Sequence, residues 1–400
     1  MISASKKYNI RNIFTRKECC SSIQTTVNSG ASYPCKTGLP ILKKLSSFIF
    51  LSFIFSSFIF SSFLNAQVKY SNEFLSIGVG ARAFGMSHSI VALSDDITST
   101  YWNPAGLVLI PNNLQIGLMH SEYFAGIAKY DYVAGAFKIN EQSSFGVSGI
   151  RFGVDDIPNT LELIDKDGNI RYDRIKSFSV ADYGFLFSYA RKAPIEGLRY
   201  GGNVKIIRRI AGDFASAWGF GIDASAQYDY GKWKFGVLAR DVTSTFNVWS
   251  FNTEELVEAF TMTGNEIPEN SLEITLPKLI MGAARSFDIT EQIEIAAEID
   301  LDWTFDGKRN VLVKSDPVSI DPHLGFEANY KKIVFLRGGI GNFQLIKNYN
   351  NKNDFSLQPN IGVGFKWKNF ALDYAFANLG GVSIAPYSNI ISLKYAIDKK

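Results

Sequence analysis

The residues best suited to chemistry are few and scattered. The only imidazoles are His88, His120 and His323, and none has a partner at metal-ligand spacing. The three cysteines, Cys19, Cys20 and Cys35, lie in a polar N-terminal stretch with no apolar run before them. That position argues against lipid attachment as well as against a metal site. No G-x-S-x-G nucleophile elbow occurs. Asp165-Lys166-Asp167-Gly168-Asn169 resembles the start of a calcium loop but lacks the third acid before the glycine and the distal Glu, so it reads as a turn. Six acids, Asp223, Asp229, Glu294, Glu298, Asp300 and Asp302, recur at even spacing in two short stretches. Such acids could line a cation path, stay solvated, or pair with buried bases such as Arg82. Nothing in this inventory argues for an enzyme, a metal or a cofactor.

The elements that would position these side chains are strands. From Trp218 to Tyr230, Trp218, Phe220, Ile222, Ala224, Ala226, Tyr228 and Tyr230 alternate with Gly219, Gly221, Asp223, Ser225, Gln227 and Asp229. Ile293 to Trp303 and Asn360 to Trp367 repeat the pattern, and period 2 means one apolar and one polar face. A soluble sandwich turns the apolar face inward, whereas a membrane barrel turns it to lipid. Strands of about 10–13 residues suit a bilayer better than a soluble sheet. Trp218, Tyr228, Tyr230, Trp303 and Trp367 sit near strand ends, as interfacial aromatic girdles do.

Fourteen strands fit between 114–124 and 387–397, an even number with both ends on one side. Links after even strands are short (140–142, 192–197, 231, 288–290, 331 and 367–369). Those after strands 3, 7, 9, 11 and 13 are longer (153–177, 242–275, 304–318, 343–356 and 379–386). Short turns on one side and long loops on the other are expected of an outer-membrane barrel and have no cause in a sandwich. The expected fold is therefore an all-β transmembrane antiparallel barrel over 114–400.

Two segments precede it. Lys43 and Lys44, the Leu/Ile/Phe/Ser run 45–63 and Ala66 read as a secretory signal peptide cut near Ala66, with a transmembrane anchor as the alternative. Residues 1–66 thus form an upstream extension plus signal. The net charge of +3 misleads, because residues 1–66 hold eight bases and one acid. The remainder carries 33 bases and 37 acids, a net of −4, and so lacks the basic excess of a nucleic-acid binder. Residues 67–113 fall outside the strand pattern and are long enough to plug the lumen.

That segment carries a motif, GVGARAFGMSHSIVALSDDITSTYWNPAGL, from Gly78 to Leu107. It resembles the N-terminal hatch of FadL-like barrels and, more closely, the opening of the PorV/PorQ family of Bacteroidetes. The residues carrying the likeness are Gly80, Ala81, Arg82, Ala83, Gly85, Met86, Asp95, Asp96, Asn103, Pro104, Ala105 and Gly106. His88 and Ser89 depart from it, standing where relatives more often have Gly and Ala. Gly78, Gly80 and Gly85 would allow tight turns against a wall. Arg82 would seek Asp95, Asp96, Glu298 or Asp300. Asn103-Pro104 would end a helix over 89–101. In the 242–275 loop, Thr253 would cap a helix whose Leu256, Val257 and Phe260 form one apolar face. That face could contact a ligand or partner, or simply pack over the barrel mouth.

The resemblance implies a non-enzymatic accessory barrel of type IX secretion that receives secreted cargo and hands it to translocon components. The alternative it implies is a transporter of hydrophobic small molecules, with an apolar cavity beneath a movable hatch. In FadL-like barrels the wall opens sideways at the third strand, and Gly146 and Gly149 mark the corresponding strand here.

Overall fold

A computed structural model describes residues 71–165, 167–253, 257, 271–347, 352–377 and 388–398. The upstream extension, the cut site at Ala66 and two of the three predicted loop residues, Leu256 and Phe260, lie outside them. Sixteen strand segments form one antiparallel sheet. They are β1 (Leu114–Tyr123), β2 (Ala128–Asn140), β3 (Ser143–Asn159), β4 (Lys176–Lys192), β5 (Leu198–Ala211), β6 (Ala215–Tyr230), β7 (Trp233–Arg240) and β8 (Thr245–Phe251). They continue as β9 (Ser271–Thr275), β10 (Lys278–Thr290), β11 (Ile293–Thr304), β12 (Ser319–Tyr330), β13 (Val334–Lys347), β14 (Asn353–Trp367), β15 (Phe370–Ala377) and β16 (Ser388–Ile397).

The sheet closes on itself, since β1 pairs with β16 and β5 with β6. It is a barrel of 14 staves, because two staves are each broken into two segments. β6 pairs with β7 along Ala224–Tyr230 and with β8 along Ala215–Phe220. β8 in turn pairs with β9, and β7 with β10. So β8 prolongs β7 and β9 prolongs β10. This corrects the expected loop over 242–275: both of its ends are wall, and the barrel rises higher there.

Side-chain burial is inverted relative to a soluble protein. On β6, Trp218 and Phe220 are exposed, while Asp223, Ser225 and Gln227 are buried. From Phe355 to Trp367 on β14, the apolar residues at every second position point outward. A surface so apolar is stable only against lipid, and closure leaves no unpaired sheet edge.

The lumen is occupied by residues 71–113. They form a 3-10 turn at Glu73–Ser76, a short helix α1 (Ala81–Gly85), a single turn α2 (Ser99–Trp102) and a 3-10 stretch at Pro104–Leu109. The expected helix over 89–101 is absent, and helix is confined to Ser99–Trp102. Val79, Met86, Ile90, Ile97 and Leu107 of this segment are buried and form the heart of the apolar core. An outward apolar face is spent on lipid, so this inserted chain is what gives the barrel an interior core.

Candidate functional site

The inner segment makes polar contacts with most of the wall. On β11, Asp300 accepts the backbone N–H groups of Ile90 and Val91 at 3.0 and 3.1 Å. Glu298 accepts those of Ala92 and Leu93 at 2.5 and 3.1 Å. The two wall carboxylates thus satisfy four consecutive donors that no helix or sheet serves. On β6, Gln227 donates to the carbonyls of Val91 and Ser94, both at 3.0 Å. Ser225 accepts from Ala105 N at 3.0 Å. On β16, Ser392 accepts from Ala81 N at 2.8 Å.

An ion-pair network that begins on the neighbouring strand β12 fixes the same segment. Arg82 reaches Asp95 at 2.5 Å and Glu327 on β12 at 2.9 Å, with Asp96 at 3.8 Å. Arg337 on β13 joins Glu327 at 2.6 Å to Asp373 on β15 at 2.7 Å. Lys394 on β16 joins Asp373 at 3.0 Å to Asp96 at 2.8 Å. Three cations and four carboxylates are thus interlocked, which is how buried charges become tolerable. Burial by itself would raise the Asp96 carboxyl, but Lys394 and Arg82 hold it well below the usual carboxylate range.

Several predicted residues come together here, with changed partners. Arg82 meets Asp95 and Asp96 but not Glu298 or Asp300, which are engaged by backbone. Asp223, Asp229 and Asp302 pair with wall bases, namely Lys205 at 2.8 Å, Arg199 at 2.8 Å and Lys278 at 2.5 Å. Glu294 accepts from Asn329 at 3.3 Å. These wall acids are therefore engaged, which does not suit a row of free carboxylates lining a cation path. Glu327, Arg337, Asp373 and Lys394 escaped the sequence reading. Their signal was a lone charge on the small-residue face of an alternating strand.

The motif residues have distinct local duties. Gly78 and Gly80 adopt left-handed backbone, at φ +98° and +85°. Gly85 makes no turn; it lets α1 lie against the backbone of Gly362. A Cβ on Gly106 would stand 2.1 Å from the Ser94 carbonyl oxygen, so only glycine fits. Asn103 is extended; its Oδ1 accepts from Ala105 N at 3.2 Å, and its Nδ2 donates to Val91 O at 2.9 Å. Pro104 then opens the 3-10 stretch. His88, the departure from the motif, has φ +70°, a conformation that favours glycine. Its ring lies between Phe84 and Trp102, with centroids at 4.9 and 5.3 Å. Burial, and next the neighbouring His323, push its pKa down to about 3.

At the long-loop end, the inner segment floors a cavity of about 450 Å³. Its lining includes His88, Trp102, Arg240, Lys278, Asp302 and His323. Arg240 lies 4.2 Å over the Tyr101 ring. Three lining groups, His88 Nε2, Tyr123 OH and Asp321 Oδ1, have no hydrogen-bond partner among the described residues. This vestibule mixes charged groups with apolar ones such as Phe84, Trp102 and Ile280. Val257 is exposed. The Asp165 turn is a hairpin tip, where Asp165 Oδ1 accepts from Asp167 N and Asn169 N at 3.0 and 2.8 Å. No cluster of metal ligands occurs among the described residues.

β3 pairs with β2 and β4 without a gap from Ser143 to Val154. A Cβ on Gly146 would stand 2.8 Å from the Thr100 methyl group. Gly146 therefore makes room for the inner segment and opens no window in the wall.

Residues 64–252 match the family described as type IX secretion system protein PorV. The match runs from ahead of the inner segment through β8. The chain is an outer-membrane β-barrel that is similar to PorV over these residues. Solved structures similar to this PorV-like barrel include the toluene transporter TbuX of Ralstonia pickettii, at 13% identity and TM-score 0.46, covering 80% of this chain and 98% of that one. A FadL homologue of Pseudomonas aeruginosa shows 11% identity and TM-score 0.48, with coverages of 80% and 98%. The monoaromatic hydrocarbon channel CymD shows 12% identity and TM-score 0.49, with coverages of 81% and 98%. No curated protein matches the PorV-like chain.

Proposed function

We propose that this PorV-like barrel is a non-enzymatic accessory component of type IX protein secretion, exported by a signal peptide cleaved near Ala66. It receives secreted proteins at its long-loop end and passes them to the translocon or surface-attachment machinery. In this reading residues 67–113 are a fixed plug that supports the vestibule floor.

One observation carries the reading: the inner segment is tied to the β11–β16 stretch of wall by a seven-membered ion-pair network and by four backbone N–H groups held on Glu298 and Asp300, and to β6 by Gln227 and Ser225. A segment held so widely suits a scaffold better than a moving gate. The chamber above it sets Arg240, Lys278 and Asp302 beside Phe84 and Trp102, a mixture of aromatic and charged groups that suits a protein surface.

The test is purification of the tagged protein from native outer membrane, with mass spectrometry of bound proteins and lipids. Translocon components or cargo in stoichiometric amount are the expected result. A stoichiometric apolar small molecule with no protein partner would overturn the reading in favour of transport.

A further inference from the structure

The apolar band around the barrel is not even. On β14 outward apolar residues run from Phe355 to Trp367, and on β6 from Trp218 to Tyr230. On β1 the outward series is Ile116, Leu118, then His120 and Glu122. On β2 the apolar series ends at Val133, and Asp131 and Lys129 follow toward the loop end. On β3 it ends at Gly149, and Arg151 follows. The change falls along one register line, since His120 is paired with Asp131, Asp131 with Arg151, and Arg151 with Tyr183. Four adjacent strands thus present one continuous polar row on the outside of the wall.

The row is organised. His120 Nδ1 is 2.7 Å from Asp131 and its Nε2 is 3.7 Å from Glu122. Arg151 binds Asp155 at 2.8 Å and lies 4.0 Å from Asp131. Both carboxylates of the His120 pairs are more than 40% exposed, so neither is sealed by its partners. Directly beneath the row is a groove of about 430 Å³, lined by Leu118, Val133, Gly149, Phe185, Ile391 and Leu393. Gly149 is its notch: an added Cβ would meet only Val133 and Phe185, at ordinary contact distance.

Charges on a lipid-facing wall are tolerated near the interface and costly at the midplane. The row therefore sits at headgroup level, and the bilayer meets a shortened apolar band on this side. We propose that β1–β4 form an external lipid site for phosphatidylethanolamine. Its acyl chain fills the groove over Gly149, its ammonium lies on Asp131 and Glu122, and its phosphate lies on Arg151. The mixed signs of the row select this zwitterionic head, which supplies both charges. A purely anionic head would meet three acids, Glu122, Asp131 and Asp155, alongside Arg151 and Lys129.

The test is native mass spectrometry of the full protein released from detergent doped with equal amounts of phosphatidylethanolamine and phosphatidylglycerol. One retained phosphatidylethanolamine is expected, favoured roughly fivefold. Gly149→Leu fills the notch and should abolish retention. Asp131→Asn should erase the preference between the two lipids, and it serves alone if Gly149→Leu fails to fold. Val363→Leu on β14, a remote lipid-facing position, should leave both unchanged. Equal or absent retention in the wild type, or retention unaltered by the site variants, would overturn the site. So would a photo-crosslinking residue in place of Val133 that captures a protein, not a lipid, in native membrane.

Discussion

Arg82 grips Glu327 with one edge of its guanidinium, Nε donating to one carboxylate oxygen at 2.9 Å and Nη2 to the other at 3.0 Å. The first residue belongs to the inner segment and the second to the wall, 245 positions later. This paired contact is the geometry in which Arg differs most from Lys. Removing one partner strands the other in a largely dry site. Glu327→Ala should therefore cost about 3–5 kcal/mol. Arg82→Lys should recover less than half of what Arg82→Ala loses. Unfolding in urea, followed by gel mobility of the heated and unheated protein, measures both.

Hydrogen exchange reads the carboxylate latch on β11 directly. Ile90 and Val91 depend on Asp300, while Ala92 and Leu93 depend on Glu298. Glu298→Ala should speed exchange at Ala92 and Leu93 well before Ile90 and Val91, and Asp300→Ala should do the reverse. Uniform acceleration across all four amides would mean that the segment leaves as one body.

Glycine substitutions separate the interior from the lipid face. Gly106→Ala drives a Cβ into the Ser94 carbonyl and should destabilise by at least about 1–3 kcal/mol. Gly135 faces open space on the outer wall, so Gly135→Ala should change stability by less than about 0.5 kcal/mol. Midpoints of thermal unfolding in one detergent provide the comparison.

Acid should weaken the vestibule floor through His88. Its folded pKa is lowered from 6.5 to about 3, so the folded state holds it neutral where the unfolded chain takes up a proton. The stability involved is fully present above pH 6.5 and is lost as pH falls toward 3. His88→Asn tolerates the left-handed backbone and cannot titrate. The variant should therefore show a shallower loss of stability between pH 6.5 and 4.5 than the wild type, a window above the ordinary range of the carboxylates. Parallel slopes would assign the acid sensitivity to other groups.

Much of the barrel was legible because one physical rule, apolar out to lipid, writes itself into every second residue. Trp218 to Tyr230 shows it without interruption, and the sorting of loop lengths fixed the orientation of the hairpins. The rule failed where the alternation changes phase. Outward residues on β7 are Trp233, Phe235 and Val237, and on β8 they are Phe246 and Val248. The odd numbers become even across a break at residues 241–244, where Asp241 and Ser244 adopt left-handed backbone. A pattern that slips by one looks like the end of a strand, which is why the sequence of β8 and β9 reads as loop. Around Arg82 the motif pointed to Asp95 and Asp96 but not to Glu327. Partners so distant in sequence leave no local spacing to read. The same holds for Lys205 and Arg199, each taking an acid that alternation had exposed as inward but could not pair.

The partners of the inner segment also set an order of events. Its residues come first, yet Ala81 hydrogen-bonds to Ser392, and Asp96 pairs with Lys394. Both partners lie on β16, the last strand of the barrel in chain order and the one that meets β1 to seal the cylinder. The earliest part of the chain therefore cannot reach its final bonds until the latest part has arrived. An unsealed intermediate holds a loose, partly apolar strip with unsatisfied donors and unpaired charges. Completion of the seam and settling of that strip become one cooperative step, and the filled interior serves as proof of assembly.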